Sequence, residues 1–481
     1  MTATVSTVNR VLPAEPFATL DGYVRAGGGQ ALDAARRVGP DTVIAEVEAS
    51  GLRGRGGAGF PTGAKWRTIA ANRSPELPTT VVVNAAEGEP GTYKDRALLH
   101  ADPYAVLEGA LIAAYAVGAT DVVVALKPAE RDRVAAAIAE MEQAGMTGGV
   151  PVSIVTGPPE YLFGEETALL EVVDGRPPFP RIAPPYRRGV VEVVEDEADV
   201  DSDSGAAGHV EMAGPGPETV APPALVDNVE TLAHVTHILA QGADWFRELG
   251  TRESPGTIVC TVTGDVVHPG VGEVPMGTTV REAIAAIGGG PAKERATKAV
   301  LTGVSAAPLP AVLLDTPLTY EAMEAAGSGL GTASLMVLGE RRDMTAVAAG
   351  AARFLAVESC GQCTPCKADG LIIAVALENL CRGEGGSEDL DALAKALTTV
   401  GDSARCNLAR QQQAVVGAIV DGWLDELVRQ AASTEPIEPL LVAELTSLAG
   451  GKVAVDEERR RKQPDWSYDE DWSGTYPADS R

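Results

Sequence analysis

Apolar and polar positions recur along this chain with two periods, and the switches between them mark out its elements. From Asp41 to Ser50 the apolar Val43, Ile44 and Val47 sit at helical spacing, and the run ends at Gly51. Thr79 to Val83 (TTVVV) is β-branched throughout and predicts a buried strand, with a polar loop from Asn84 to Lys94 after it. Tyr104 to Gly118 reads as an Ala/Leu-rich helix, Asp121 to Leu126 as a strand, Asp132 to Glu142 as a helix and Val150 to Val155 as a third strand. This alternation predicts an α/β fold with a mainly parallel sheet. Strands return between Gly256 and Leu338 around one helix near Thr279 to Ile287, predicting a small mixed α+β unit. From Thr345 to about Leu448 the pattern is helical.

Two stretches break the pattern. Glu195, Asp196, Glu197, Asp199, Asp201 and Asp203 precede a Gly/Ala/Pro-rich run reaching Pro223. Such a segment lacks the apolar surface to offset its ordering entropy, so a disordered acidic insertion is expected there. The last segment, Val453 to Arg481, is charged but carries Trp466, Tyr468, Trp472 and Tyr476, and is expected to drape over a neighbour.

A chain of 481 residues is expected to form about two to four domains. Its 67 acidic and 39 basic side chains give a net charge of −28, which argues against nucleic acid as a partner. No stretch reaches the roughly 18–20 apolar residues of a membrane-spanning helix, and Met1 to Pro16 lacks a signal-peptide pattern. A cytoplasmic protein without direct membrane insertion is expected.

Four of the six cysteines lie between residues 360 and 406 in a pattern that carries chemistry, with Cys381 a fifth in the same region. Cys360, Cys363 and Cys366 form C-x-x-C-x-x-C, a spacing that lets thiolates converge on one iron–sulfur cluster. The fourth ligand must be remote, because the position four residues on is Gly370. A helix from Ala368 to Leu380, at ~1.5 Å per residue, carries Cys381 roughly 20 Å away. Gly383 to Gly386 breaks the chain, and a second helix from about Asp389 to Val400 can run back, which selects Cys406 and leaves Cys381 a structural thiol. Zinc on four cysteines stays open on spacing alone. Cys260, in TIVCTV, reads as core.

Gly54, Gly56 and Gly59 satisfy G-x-G-x-x-G within GLRGRGGAGFPTGAKW, but a helix and not a strand precedes them, so the usual dinucleotide-binding context fails. Bare amides beside Arg53, Arg55 and Lys65 nonetheless suit a phosphate-bearing cofactor. The loop from Asn84 to Arg96 follows a strand, where α/β folds place ligands. Gly164-Glu165-Glu166-Thr167 is a third candidate, although acids there also suit a helix N-terminus.

Taken together, GLRGRGGAGFPTGAKW, NAAEGEPGTYKDR, YLFGEETALLEVVDG, DNVETLAHV and ESCGQCTPC with Cys406 resemble the NADH-binding flavin and iron–sulfur subunit of respiratory complex I. That family (the 51 kDa type) is shared with NAD-reducing hydrogenases and NAD-dependent formate dehydrogenases. The resemblance covers about Ala31 to Trp423. It implies an N-terminal extension (1–30), an FMN/NADH-binding α/β domain (31–250, with the acidic insertion at about 193–223) and a small ubiquitin-like SLBB α+β domain (251–340). A C-terminal helical bundle carrying a [4Fe–4S] cluster (341–448) and a charged tail (449–481) complete it. By position, Gly54, Gly56, Gly57, Lys65, Asn84, Glu87, Asp227, Asn228 and Thr231 fall in FMN-contacting motifs. Glu89, Gly164, Glu165 and Glu166 fall where the nicotinamide side is shaped, and Phe60 near the adenine end. Cys360, Cys363, Cys366 and Cys406 match the cluster ligands.

The activity implied is hydride transfer from NADH to FMN and single electrons onward to the cluster, with no protein acid or base required. Implied partners are a [2Fe–2S] thioredoxin-like subunit and a larger iron–sulfur, molybdenum or nickel subunit, through which the chain can sit peripherally at the inner membrane face. Departures from the family bear on this. N-A-A-E stands for the usual N-A-D-E, so Ala86 removes a carboxylate; Phe163 replaces a Cys; and Asp227 replaces the first Asn of NNVET. Thr68 stands for an adenine-stacking aromatic, and Ala183 for a basic residue, with Tyr186 nearby. Two functional readings therefore stand: an NADH dehydrogenase subunit, or a flavin/iron–sulfur electron-transfer subunit whose nicotinamide site is lost or altered and whose donor is another. A pure assembly scaffold has no need of four placed thiols.

Overall fold

The computed structural model describes residues 6–74, 76–182, 190–193, 209–212, 222–292 and 296–480. The acidic run Glu195 to Asp203, Ala183 and Tyr186 lie outside the described residues. Three strands open the α/β domain: β1 (Thr80–Ala85), β2 (Asp121–Leu126) and β3 (Val152–Thr156). A separate antiparallel ribbon, β4 (Val190–Val193) with β5 (His209–Met212), spans the ends of the acidic run, so the expected structureless insertion contains a strand. Its β-branched composition, Val190, Val191, Val193 and Val210, suits pairing. β6 (Ala224–Asn228) then completes a parallel sheet of order β3-β2-β1-β6.

β1 lies inside that sheet, and Val81, Val82 and Val83 are wholly buried, as expected for a strand covered on both faces. It runs two residues further than its apolar pattern indicated, because the Asn84 backbone pairs with both Ala125 and Asn228. The helix Pro103–Val117 is buried on nearly every face. Asp102 caps its start, accepting from Ala105 N at 3.0 Å, and Gly118 ends it at φ 68°.

The small second unit holds a five-stranded sheet of β7 (Thr257–Gly264), β8 (Gly270–Pro275), β9 (Thr297–Leu301), β10 (Leu309–Pro310) and β11 (Ser334–Gly339), in the order β10-β9-β11-β7-β8. Its helix Val280–Gly288 starts on a capping box of Thr279 and Glu282.

Helices Met344–Glu358, Thr364–Arg382 and Ser387–Thr399 form the bundle, with the second turned back at Gly383. Leu408–Gln412 continues through a π-helical turn, Gln413–Gly417, into Ala418–Gly422, and Leu424–Ala431 is the last α-helix among the described residues. The helical pattern stops there and not near Leu448. Pro436 and Pro439 cannot continue a helix, and the chain runs extended, Ile437 N donating to Cys381 O at 2.8 Å. β12 (Leu445–Ala449) and β13 (Lys452–Val455) then form a hairpin. No helix among the described residues is long and apolar enough to cross a membrane.

The C-terminal segment folds onto its own chain. Trp466 Nε1 donates to Val357 O at 3.0 Å, and Ala478 N donates to Cys360 O at 3.0 Å. Its main fastening is Glu358, a carboxylate only 1% exposed. Glu358 accepts from Arg459, from Lys462 Nζ at 2.7 Å and from Tyr161 N at 2.8 Å. Burial pushes its pKa up, but Lys462 and Arg459 more than reverse this and hold it below the usual carboxylate value. Arg459 also reaches Glu444 at 3.1 Å and Pro159 O at 2.6 Å, so one side chain joins tail, hairpin, bundle and α/β domain.

Glu358→Ala leaves two buried cations without their shared carboxylate and is expected to cost about 3–5 kcal/mol, seen as a lower urea midpoint. The same variant should become open to trypsin at Arg460 and Arg461. A midpoint equal to the parent's would show that the tail is not fastened there.

Candidate functional site

β1 and β6 run parallel and end side by side, and a pocket opens at their carboxyl ends, as topology favours in α/β sheets. Gly56, Asn84, Ala86, Glu87, Glu89, Gly164, Glu165 and Asn228 line it, bringing together residues from all three candidate loops. Asn228 leaves the end of β6, accepts from Glu230 N at 3.0 Å to cap the helix Val229–Gln241, and donates to Asp95 at 2.7 Å. A Cβ on Gly56 would approach that of Asn228 to 3.3 Å, so the loop passes close because the residue is glycine.

The acids of the pocket are engaged. Glu87 accepts from Arg96 Nε at 2.7 Å and from Asp95 N at 2.9 Å. Burial raises Asp95 to about 6 against the opposing pull of Lys94, whose Nζ is 2.7 Å away. Burial likewise pushes Glu89 up, while hydrogen bonds from Tyr161 Oη and from Val304 N at 2.7 Å oppose it. Glu165 accepts from Thr167 N at 3.0 Å and Ala168 N at 2.8 Å, so it is the N-cap of the helix Glu166–Val173 as well as a pocket wall. Glu166 turns away to pair with Lys65 at 2.8 Å.

Several candidates stand behind the pocket. Gly54 O accepts from Tyr320 Oη at 2.7 Å, and Gly57 lies against Gly331. Gly59 has φ +64°, and a Cβ there would fall 2.4 Å from the Tyr320 ring. Asp227 accepts from Trp66 Nε1 at 2.6 Å; burial raises it to about 6, opposed by Lys65 and that bond. Thr231 Oγ1 accepts from Arg55 N at 2.8 Å and so anchors the glycine loop. Phe60 is 58% exposed.

Of the three cations expected to serve a phosphate, two are used elsewhere. Arg55 is 2% exposed and spends its guanidinium on the carbonyls of Thr257, Pro255 and Arg53, with Glu230 at 4.0 Å. Arg53 lies over the Tyr320 ring at 4.0 Å and pairs with Glu321. Lys65 remains, bonded to Glu166 and to Val226 O at 2.6 Å.

Sequence reasoning missed Tyr161, Thr332 and Gln411, which also line the pocket. Tyr161 opens the motif YLFGEET, so its signal was present; Thr332 and Gln411 come from distant units and had none. The Thr332 hydroxyl is buried without a hydrogen-bond partner among the described residues, as a wall awaiting a polar ligand would be. Of the departures, Ala86 is buried in the pocket wall, and Phe163 is wholly buried in an apolar cluster with Val82, Val123 and Val226. Thr68 bonds back to Ala64 O at 3.0 Å on an exposed helix face.

Below the pocket, Cys360 and Cys363 occupy the loop between Met344–Glu358 and Thr364–Arg382, and Cys366 the first turn of the latter helix. Cys406 precedes Leu408–Gln412. These four thiols line one apolar cavity, while Cys381 packs in a different cluster at the far end of its helix. Sγ of Cys363 accepts from Arg405 N at 3.4 Å, Sγ of Cys360 from Gln362 Nε2 at 3.4 Å, and Ser359 Oγ lies 3.3 Å from Sγ of Cys366. Burial pushes the Cys363 and Cys406 thiols up and that of Cys366 to about 11, so a metal's positive charge is needed to make them thiolates. No three His, Cys, Asp or Glu side chains among the described residues close on a point as a lone metal ion requires. The four thiols line one space, as the ligands of a single four-cysteine metal centre would. Leu162, Cys406 and Leu408 line both this cavity and the pocket.

Residues 47–237 match the model of the Nuo51 FMN-binding domain, 346–430 that of the NADH-ubiquinone oxidoreductase-F iron–sulfur binding region, and 259–306 that of the SLBB domain. The chain is 37% identical over 389 residues to the NADH-quinone oxidoreductase F subunit numbered 2 in Rhizobium meliloti (strain 1021), covering 78% of this chain and 85% of that one. It is 33% identical over 420 residues to the HndC subunit of the NADP-reducing hydrogenase of Solidesulfovibrio fructosivorans, covering 85% and 80%. Among solved structures, an NAD+-reducing [NiFe]-hydrogenase in the H2-reduced state matches with a TM-score of 0.71 and 32% identity, over 88% of this chain and 68% of that one.

Arg55→Met removes the donor to the carbonyls of Thr257, Pro255 and Arg53 and a cation near buried Glu230, and should cost about 3 kcal/mol of stability. Flavin bound per folded molecule should stay at the parent's value; a selective loss of flavin at unchanged stability would return Arg55 to the phosphate.

Proposed function

We propose a working arrangement for this chain from one premise: it belongs to the family of NADH-quinone oxidoreductase F subunits, the flavin- and iron–sulfur-carrying NADH dehydrogenase subunits of multi-subunit oxidoreductases. FMN accepts a hydride and releases electrons singly, and a [4Fe–4S] cluster carries them one at a time. The observation that carries the arrangement is the wall formed by Leu162, Cys406 and Leu408, which belongs to the pocket and to the thiol cavity alike.

The backbone at Gly56, the amides of Asn84 and Asn228 and the Thr332 hydroxyl hold the flavin in this reading, with Lys65 supplying charge on the β6 side. Gly54, Gly57, Asp227 and Thr231 set the loop and strand end behind them, and Glu87 fixes the loop through Arg96. Glu89, Gly164 and Glu165 shape the nicotinamide side, Glu166 acts through Lys65, and Phe60 offers an exposed ring for the adenine. Tyr161 keeps its phenol proton directed at Glu89 and so fixes that carboxylate in the pocket wall. Orientation is the chain's contribution to hydride transfer. Cys360, Cys363, Cys366 and Cys406 hold the cluster.

The relatives are subunits of larger enzymes. A [2Fe–2S] thioredoxin-like subunit and a larger iron–sulfur, molybdenum or nickel subunit are the proposed partners, and any place at the inner membrane face comes through them. The losses at Ala86 and Thr68 favour a second reading, in which another donor replaces NADH.

An anaerobic absorbance spectrum taken before and after NADH separates the two. Flavin and iron–sulfur bands bleached by NADH support the first; bands bleached by dithionite alone support the second. Cys406→Ser should lose the cluster while Cys381→Ser retains it, and equal iron in both would sink the ligand assignment. Lys65→Glu should abolish flavin binding, and a retained flavin spectrum would remove Lys65 from that site.

A further inference from the structure

Lys367 directly follows the third cysteine of the loop and is 0% exposed. Its Nζ donates to Ser359 O at 2.7 Å, Ala356 O at 3.0 Å and Val357 O at 3.3 Å, which uses every donor an ammonium has. These carbonyls lie at the end of Met344–Glu358, where the helix dipole attracts a cation. The charge is therefore fixed in place. Tyr476 of the C-terminal segment sets its ring 5.5 Å from Nζ on another side.

Lys367 stands among the thiols by position: it follows Cys366 directly, and Ser359, whose carbonyl accepts its shortest bond, precedes Cys360 and sets its Oγ 3.3 Å from Cys366 Sγ. Glu358, the nearby carboxylate, is already matched by Arg459 and Lys462. Carbonyl dipoles alone offset only part of the cost of burying a full charge, and an anion close by supplies the rest. In so dry a place that attraction is little screened by salt.

We propose that Lys367 is a positioning residue that favours the reduced state of the cluster by holding a positive charge beside Cys360 and Cys366. The proposal rests on the assignment of the cluster to the four cysteines made above. One electron arriving from the flavin makes the cluster and its thiolates one charge more negative; no bond breaks, and Lys367 keeps its proton. A fixed neighbouring cation lowers the free energy of that more negative state relative to the oxidised one.

The test compares Lys367→Met, Lys367→Gln and Lys367→Arg in the full chain, by iron content and by a redox titration followed by electron paramagnetic resonance. Lys367→Arg should keep the parent's midpoint potential. The Met and Gln variants should load iron and shift the cluster's electron-sharing equilibrium about tenfold toward the oxidised state, which is about 59 mV for one electron. Loaded Met or Gln variants with an unchanged midpoint overturn the proposal. Loading in the Arg variant alone also overturns it, because the residue would then serve only to anchor the loop. A parent chain that holds no cluster fails the cysteine assignment itself, and the proposal with it.

Discussion

A charge taken out of water must meet its counter-charge, and that requirement sets the inner layout of this protein. Glu230 shows how. It is wholly buried, and although burial pushes its pKa up, Lys94, His234 and Arg55 hold it well below the ordinary carboxylate value. Arg55 comes from the glycine loop, Lys94 from the loop after β1, and Val259 N, which donates to Glu230 at 2.9 Å, from the small second unit. One carboxylate thus fixes three walls of the pocket relative to one another. Glu358 does the same for the thiol loop, where Tyr161, Arg459 and Lys462 meet it from separate parts of the chain.

The small five-stranded unit is consequently part of the site and not an appendage. Val304 N binds the Glu89 carboxylate, Thr332 lines the pocket, and Tyr320 receives Gly59 against its ring while bonding Gly54 O. The G-x-G-x-x-G run lacks a preceding strand, and its shape is imposed instead by this neighbour. Glycine is needed at Gly59 for packing across that junction as much as for its positive φ.

What the sequence made legible follows from range. Local signals placed β1, β2 and the helix Pro103–Val117 within one or two residues, and the helix Thr364–Arg382 within four, because β-branched runs and apolar periods act over neighbouring positions. The reversal at Gly383 was local too, and it brought Cys406 to the loop and left Cys381 behind. Arg55 was misjudged because its partners, Pro255 and Thr257, lie about two hundred residues on. The aromatic tail was expected on a neighbour because nothing near Trp466 reveals that Val357 O awaits it. Leu445–Ala449 looked helical by composition, but its pairing with Lys452–Val455 decides its state. Long-range hydrogen bonds to backbone leave no periodic trace.

The fastening of the tail has a kinetic side. A terminal segment ordinarily frays at little cost, on its own and often. Here Arg459, Lys462, Trp466 and Ala478 attach it to the bundle, the α/β domain and the thiol loop at once, so its release cannot be a small local event. Its opening belongs to one cooperative unit with the loop beneath. Access of oxidants to the buried sulfurs of Cys360 and Cys366 then becomes a matter of how rarely that unit opens, and amide exchange at Cys360 and at Ala478 should keep a common clock.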